Sequence, residues 1–285
     1  MYTALSPGVI GVHVDNLAQR IAAAKEHGFA GVEIDINEIA NLVEANGAES
    51  VESQLIDADV IAAGWHLPTN YGSTEEKWKQ DLAVLPRLAK AAAGIDCFRS
   101  FTWIMPASND RDMDENLKFH VKRFKPIAEI LGEHGHRLGL EFIGPKTIRD
   151  KFKYAFVYDM PGMLDMAAQI GPNVGLLLDV WHLYTSHGAM TDVEKLEEGD
   201  VVYVHVNDAP KGIPIDEQQD GTRCLPGETG VIDIAAFLAG LSKVGYSGPV
   251  VAEPFKKELG DLPNDAARLE LVAASMRKIF ALGAG

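Results

Sequence analysis

Short apolar runs alternate along this chain with longer stretches in which apolar residues recur every three or four positions. The runs predict strands at 9–14, 31–36, 60–67, 97–103, 138–143, 174–179, 201–206 and 249–253. Several are continuously apolar, as in Val174-Gly175-Leu176-Leu177-Leu178, the look of a parallel strand covered on both faces. The intervening periodic stretches predict helices at 17–27, 77–93, 115–134, 163–170, 234–244 and 266–281. Gly28, Gly94, Gly135 and Gly245 follow helix ends, where left-handed geometry suits glycine.

Strands alternating with helices argue for a parallel sheet, and eight of them argue for a closed (β/α)8 barrel, the TIM-barrel architecture. The alternative is an open doubly wound sheet. Against it, the first predicted strand runs into His13-Val14-Asp15-Asn16 rather than a glycine-rich phosphate-binding turn. The eight units use up residues 1–285 and predict a single domain. Two connections, 144–161 and 208–230, are longer than a barrel needs. Both leave the C-terminal ends of strands, where barrel active sites lie.

Composition then narrows the partners. The net charge of −15 disfavours nucleic acid and anionic membrane surfaces, which are bound through lysine and arginine. The absence of a long apolar run excludes a spanning helix. The first residues lack a signal-peptide pattern, and Cys97 and Cys224 read as reduced thiols. A cytoplasmic enzyme with a small-molecule substrate is the expectation.

The chemistry lies at strand ends. The fifth ends Leu140-Glu141, the sixth Leu178-Asp179, the seventh Val204-His205 and the eighth Ala252-Glu253. Each is a charged or imidazole side chain set in apolar sequence, at neighbouring places on one rim. Crowded carboxylates raise one another's pKa unless a cation neutralises them. Glu141, Asp179, His205 and Glu253 therefore predict one divalent metal site. Three oxygens and one imidazole form a hard donor set that suits Mn²⁺ or Mg²⁺, with Co²⁺ and Zn²⁺ as alternatives.

From the first strand through Glu253 the chain resembles, most specifically in its second half, the xylose-isomerase-like barrels grouped as sugar phosphate isomerases/epimerases. These include ketose 3-epimerases, 2-keto-myo-inositol isomerases and hydroxypyruvate isomerases. The resemblance rests on Gly139-Leu140-Glu141, Asp179-Val180-Trp181-His182, His205-Val206-Asn207-Asp208, residues 223–230 and Gly248 to Phe255. It implies the same four metal ligands, a substrate-oxygen contact at His182 and a substrate-binding arginine at Arg223. It also implies that Glu141 and Glu253 remove and return a proton through a metal-stabilised enediolate, and that the protein could assemble as a homo-oligomer. Two features depart from the family pattern. The turn Pro226-Gly227-Glu228-Thr229-Gly230 is one residue longer, and the loop after Glu141 is longer and more basic.

Further candidates follow from position alone. His66 and Trp103, at the ends of the third and fourth strands, read as substrate contacts or as core residues. His13, Glu33 and Asp35 could line the site, and Trp181 could be pocket or core. Lys146 and Lys153 read as anion binders, a lid or a solvated loop. Asn207 and Asp208 could orient His205, whereas His120, His134 and His136 read as surface. The leading function is an isomerase or epimerase of a keto-sugar or keto-polyol. The alternatives are a lyase or dehydratase acting on a keto-inositol or 3-keto-glycoside, a nuclease, and a non-catalytic sugar- or metal-binding barrel.

Overall fold

The computed structural model describes residues 1–282. Eight parallel strands close into a barrel in chain order. They are β1 (Tyr2–Leu5), β2 (Gly31–Glu33), β3 (Ile61–His66), β4 (Arg99–Ile104), β5 (Arg137–Phe142), β6 (Val174–Asp179), β7 (Val201–Val206) and β8 (Pro249–Ala252). Closure is made by β1 on β8, with Tyr2 opposite Pro249 and Ala4 opposite Val251. A two-stranded antiparallel ribbon, Ala107–Ser108 with Tyr154–Ala155, ties the β4 connection to the β5 connection.

The first strand lies seven residues before its predicted start. The alternating Val9-Ile10-Gly11-Val12 instead forms a 3-10 turn, Gly8–Ile10, ended by Gly11 at φ 71°. Pro7 begins that turn with helical dihedrals, so the strand must stop before it. The segment after β2 also differs from the predicted strand 31–36. Asp35 accepts hydrogen bonds from the Asn37 and Glu38 amides and caps a helix, Ile36–Asn46. A second helix, Ala48–Ala58, follows directly. Gly28, Gly135 and Gly245 adopt positive φ as expected, whereas Gly94 stays in the right-handed region.

Side chains alternate in and out of the barrel, and the alternation sets the site. Ala4, Ala63, Phe101, Leu177, Tyr203 and Val251 pack together as an apolar plug inside the strands. Phe101 stacks on Tyr203 at 4.3 Å between ring centroids. Gly64 leaves room for them, because a Cβ there would lie 2.7 Å from the Tyr203 ring. Two residues beyond the plug, each strand presents its next inward side chain at the C-terminal rim. Phe101 thus leads to Trp103, Leu177 to Asp179, Tyr203 to His205 and Val251 to Glu253.

Candidate metal centre

Glu141, Asp179, His205 and Glu253 meet at that rim. Each offers one ligand atom, all these atoms lie within 4.8 Å of one another, and all four residues are buried. That spacing is close to the width of a coordination sphere whose bonds are about 2.0–2.2 Å long. His205 Nδ1 stands 3.6 Å from Glu141 Oε1 and 3.4 Å from Glu253 Oε2. Both His205 Nδ1 and Glu141 Oε1 are buried without a hydrogen-bond partner. Buried polar atoms are ordinarily satisfied, so two orphans facing one point fit a missing cation.

The charges agree. Burial raises the Glu141 carboxyl to about 8, against the opposing pull of His205. Burial would lower His205, but Glu253 and Glu141 hold it well above its usual value. Glu253 lies below the normal carboxylate range because His205 and Arg223 outweigh its burial. The surrounding acids thus hold the His205 imidazole toward its protonated form.

Neighbouring side chains fix the set. Asp179 Oδ1 accepts from the Trp181 amide at 2.7 Å and from Asn207 Nδ2 at 3.1 Å. Arg223 donates through Nη1 to Asp179 Oδ2 at 2.7 Å and to Glu253 Oε2 at 3.1 Å. Its other arm is held by Asp220 Oδ1 at 2.7 Å. The Gly144 amide donates to His182 Nδ1 at 3.2 Å, and Arg223 Nη2 stands 3.2 Å from His182 Nε2. Glu141 Oε1 and Asp179 Oδ2 each lie 3.9 Å from that nitrogen. Burial drives the His182 pKa down to about 3, so the ring is neutral.

The remaining expectations divide. Glu33 stands behind His205, 4.0 Å from Nε2, held by Ser6 Oγ at 2.5 Å and the Tyr203 hydroxyl at 3.0 Å. Burial raises its pKa. His66 and Trp103 also lie at the rim, and Trp103 stands opposite Glu141 in the strand register. His13 is on the surface, because the strand that was to carry it is elsewhere. Asp35 is a helix cap. Trp181 is fully buried core. Asn207 holds Asp179 rather than His205. Asp208 accepts the Ala209, Thr229, Gly230 and Ile232 amides and so clamps its loop. His120 and His136 are buried, not surface, because each bonds a backbone carbonyl within apolar packing. Lys146 pairs with Asp216 across the two long connections, and Lys153 lies over the Tyr154 ring. Ser6, Tyr203 and Asp220 escaped the sequence. Ser6 follows the misplaced strand, and Asp220 is one acid among several in a loop.

A family model described as xylose isomerase-like TIM barrel matches residues 21–279. The chain belongs to the xylose isomerase-like TIM barrel family. Within it, an inosose isomerase of Halalkalibacterium halodurans is 29% identical over 158 residues, covering 53% of this chain and 52% of that protein. A 3-dehydroshikimate dehydratase of Pseudomonas putida is 30% identical over 246 residues, covering 84% of this chain and 36% of that protein. The chain thus spans about half or less of the length of these curated relatives. The structure of a xylose isomerase domain protein from Alicyclobacillus acidocaldarius superposes with a TM-score of 0.86 at 29% identity, covering 100% of this chain and 99% of that one. No helix among the described residues is long and apolar enough to cross a membrane.

Proposed function

We propose that this barrel is a divalent-metal-dependent isomerase or epimerase that moves a proton beside the carbonyl of a small keto-sugar or keto-polyol. The observation that carries the reading is the four-residue cluster with its two orphaned buried atoms. Glu141, Asp179, His205 and Glu253 would hold the ion, with Mn²⁺ favoured by three hard oxygen donors and an imidazole. When bound, it supplies a Lewis acid that stabilises negative charge beside the carbon losing its proton.

The chain's own residues supply the rest. Glu141 and Glu253 stand at the two ends of the four-strand arc and remove and return the proton. The neutral His182 and the guanidinium of Arg223, 3.2 Å apart, meet a substrate oxygen from the same side. His66 and Trp103 bound the substrate from the β3 and β4 side. The inosose isomerase relative supports a keto-polyol. The dehydratase relative supports a second reading, in which loss of a proton is followed by departure of a leaving group from the next carbon. In either case we take the chain to act as one domain, in the cytoplasm.

Proton NMR in D₂O separates these readings, with metal-loaded and metal-stripped protein incubated with keto-inositols, free ketoses and 3-keto-glucosides and removed before recording. Metal-dependent deuterium uptake with a new isomer or epimer is the expected result. Release of water or an aglycone would establish the second reading. No exchange from any compound would overturn both.

A further inference from the structure

A cleft of about 650 Å³ opens beside the metal centre at the ends of β3 and β4. It shares His66 and Trp103 with the rim but includes none of the four acid and imidazole residues. Its size falls within the range of built small-molecule sites, about 300–1,000 Å³. Trp103 lines the cleft and stands opposite Glu141 in the strand register. It is 45% exposed, whereas Trp65, Trp78 and Trp181 are buried. The Tyr71 hydroxyl donates to the Trp103 carbonyl at 2.9 Å and fixes that wall.

The lining chemistry is specific. Phe152 adds an aromatic ring to Trp103, and Asn109 brings an amide. His120 binds the Asn116 carbonyl through Nδ1 at 2.8 Å, so its other nitrogen is an acceptor. Thr69 is 3% exposed and lines the cleft, and its hydroxyl has no partner. The formal charges of Arg111 and Asp110 cancel, and Arg111 is occupied by Asn116 at 3.1 Å and by the Phe119 face. The cleft is therefore neutral, aromatic on its faces and polar at its edges, which suits an uncharged ring.

We propose that this cleft is a second subsite and that the substrate consists of two linked rings. One is a keto ring reacting at the acidic centre, and the other is an uncharged ring resting against Trp103. The placement of the reacting ring rests on the proposed function; the occupancy of the cleft is a matter of binding.

Tryptophan fluorescence reads the cleft, because Trp103 is the exposed one of the four. The probes are phenyl and methyl 3-keto-β-D-glucopyranoside, which share a reacting ring and differ in the second group. Metal-loaded wild type is expected to bind the phenyl compound about tenfold more tightly, the effect of one good aromatic contact. Gly72 lines the cleft, and a Cβ there meets only Asn70 Oδ1, at 3.6 Å. Gly72→Phe should erase the phenyl advantage and leave methyl-compound affinity within about twofold. Equal affinities in wild type, or an advantage that survives Gly72→Phe, would overturn the subsite. A phenyl advantage without deuterium exchange would keep the subsite and sink the reaction. Exchange without an advantage would do the reverse.

Discussion

At the residue scale, the site was legible because a barrel puts every second side chain on one layer. Glu141, Asp179, His205 and Glu253 each end an apolar run, and no packing need explains an acid or imidazole there. His13 was misplaced for the same reason, since the alternating Val9-Ile10-Gly11-Val12 imitates a strand. The Pro7-Gly8 pair that ends the true strand was visible but weaker than that alternation. Asp220 and Ser6 could not be read, because their partners come from other elements. Glu141→Gln and Glu253→Gln keep the shape of the site and remove the two proposed proton carriers. Each is expected to lower turnover by about 10²–10⁴-fold, measured as metal-dependent exchange rates at equal metal content. Near-normal exchange in either variant would remove that residue from proton transfer. Arg223 ties Asp179 to Glu253 while buried, so Arg223→Ala leaves two acids unpaired. Its metal-free form should lose about 3–5 kcal/mol in urea unfolding, and added Mn²⁺ should return part of that loss. A loss that metal leaves untouched would mean the arginine and the ion do not answer the same charge.

At the scale of elements, β6 and β7 matched their predicted bounds because they are continuous apolar runs. The helices Ile36–Asn46 and Ala48–Ala58 were missed because their short apolar stripes flank a single glycine and no strand separates them. The join of β5 to the helix after β6 depends on Gly144. A Cβ at that position would overlap the His182 carbonyl, and the Gly144 amide also holds the His182 ring. Gly144→Ala should cost about 1–3 kcal/mol in urea unfolding and weaken substrate binding through a displaced His182. An unchanged midpoint would show that these elements do not approach so closely. The helix Met113–Glu133 carries His120 into a cluster with Phe156, Phe124 and Tyr71. Burial lowers the His120 pKa to about 4. Between pH 6.5 and 4 the unfolded chain binds a proton that the folded one refuses, so stability is full above this window and falls on acidification. The whole effect is roughly 3 kcal/mol. His120→Phe should be less stable than wild type at pH 7.5, with the gap narrowing toward pH 4. Parallel stability profiles would assign the acid sensitivity elsewhere.

At the scale of the whole molecule, the barrel spends packing on holding acids together. The apolar plug lies below the rim, and the connections at 144–161 and 208–230 meet through Lys146 on Asp216 and Thr147 on the Gln218 carbonyl. With the proposed ion in the site, stability should depend on metal and pH jointly. Glu141 is raised to about 8 in the metal-free fold, against about 4.5 in an unfolded chain. The contribution of this group is therefore fully present below pH 4.5 and is lost as pH rises toward 8, because only the unfolded chain ionises freely in between. Metal binding needs the ionised carboxylate, so affinity for Mn²⁺ should rise with pH through the same window and level off above about 8. Stabilisation follows RT ln(1 + [L]/Kd), about 2.7 kcal/mol at a hundredfold excess over Kd. At about 2 °C or more per kcal/mol for a chain of this size, metal-loaded protein should melt roughly 5 °C above stripped protein near pH 8. The gap should shrink steadily on acidification to pH 5. Glu141→Gln should flatten that pH dependence even where it retains metal. A melting difference that does not change between pH 5 and 8 would show that Glu141 carries its charge without help from the ion, and that its burial is not what readies the site for one.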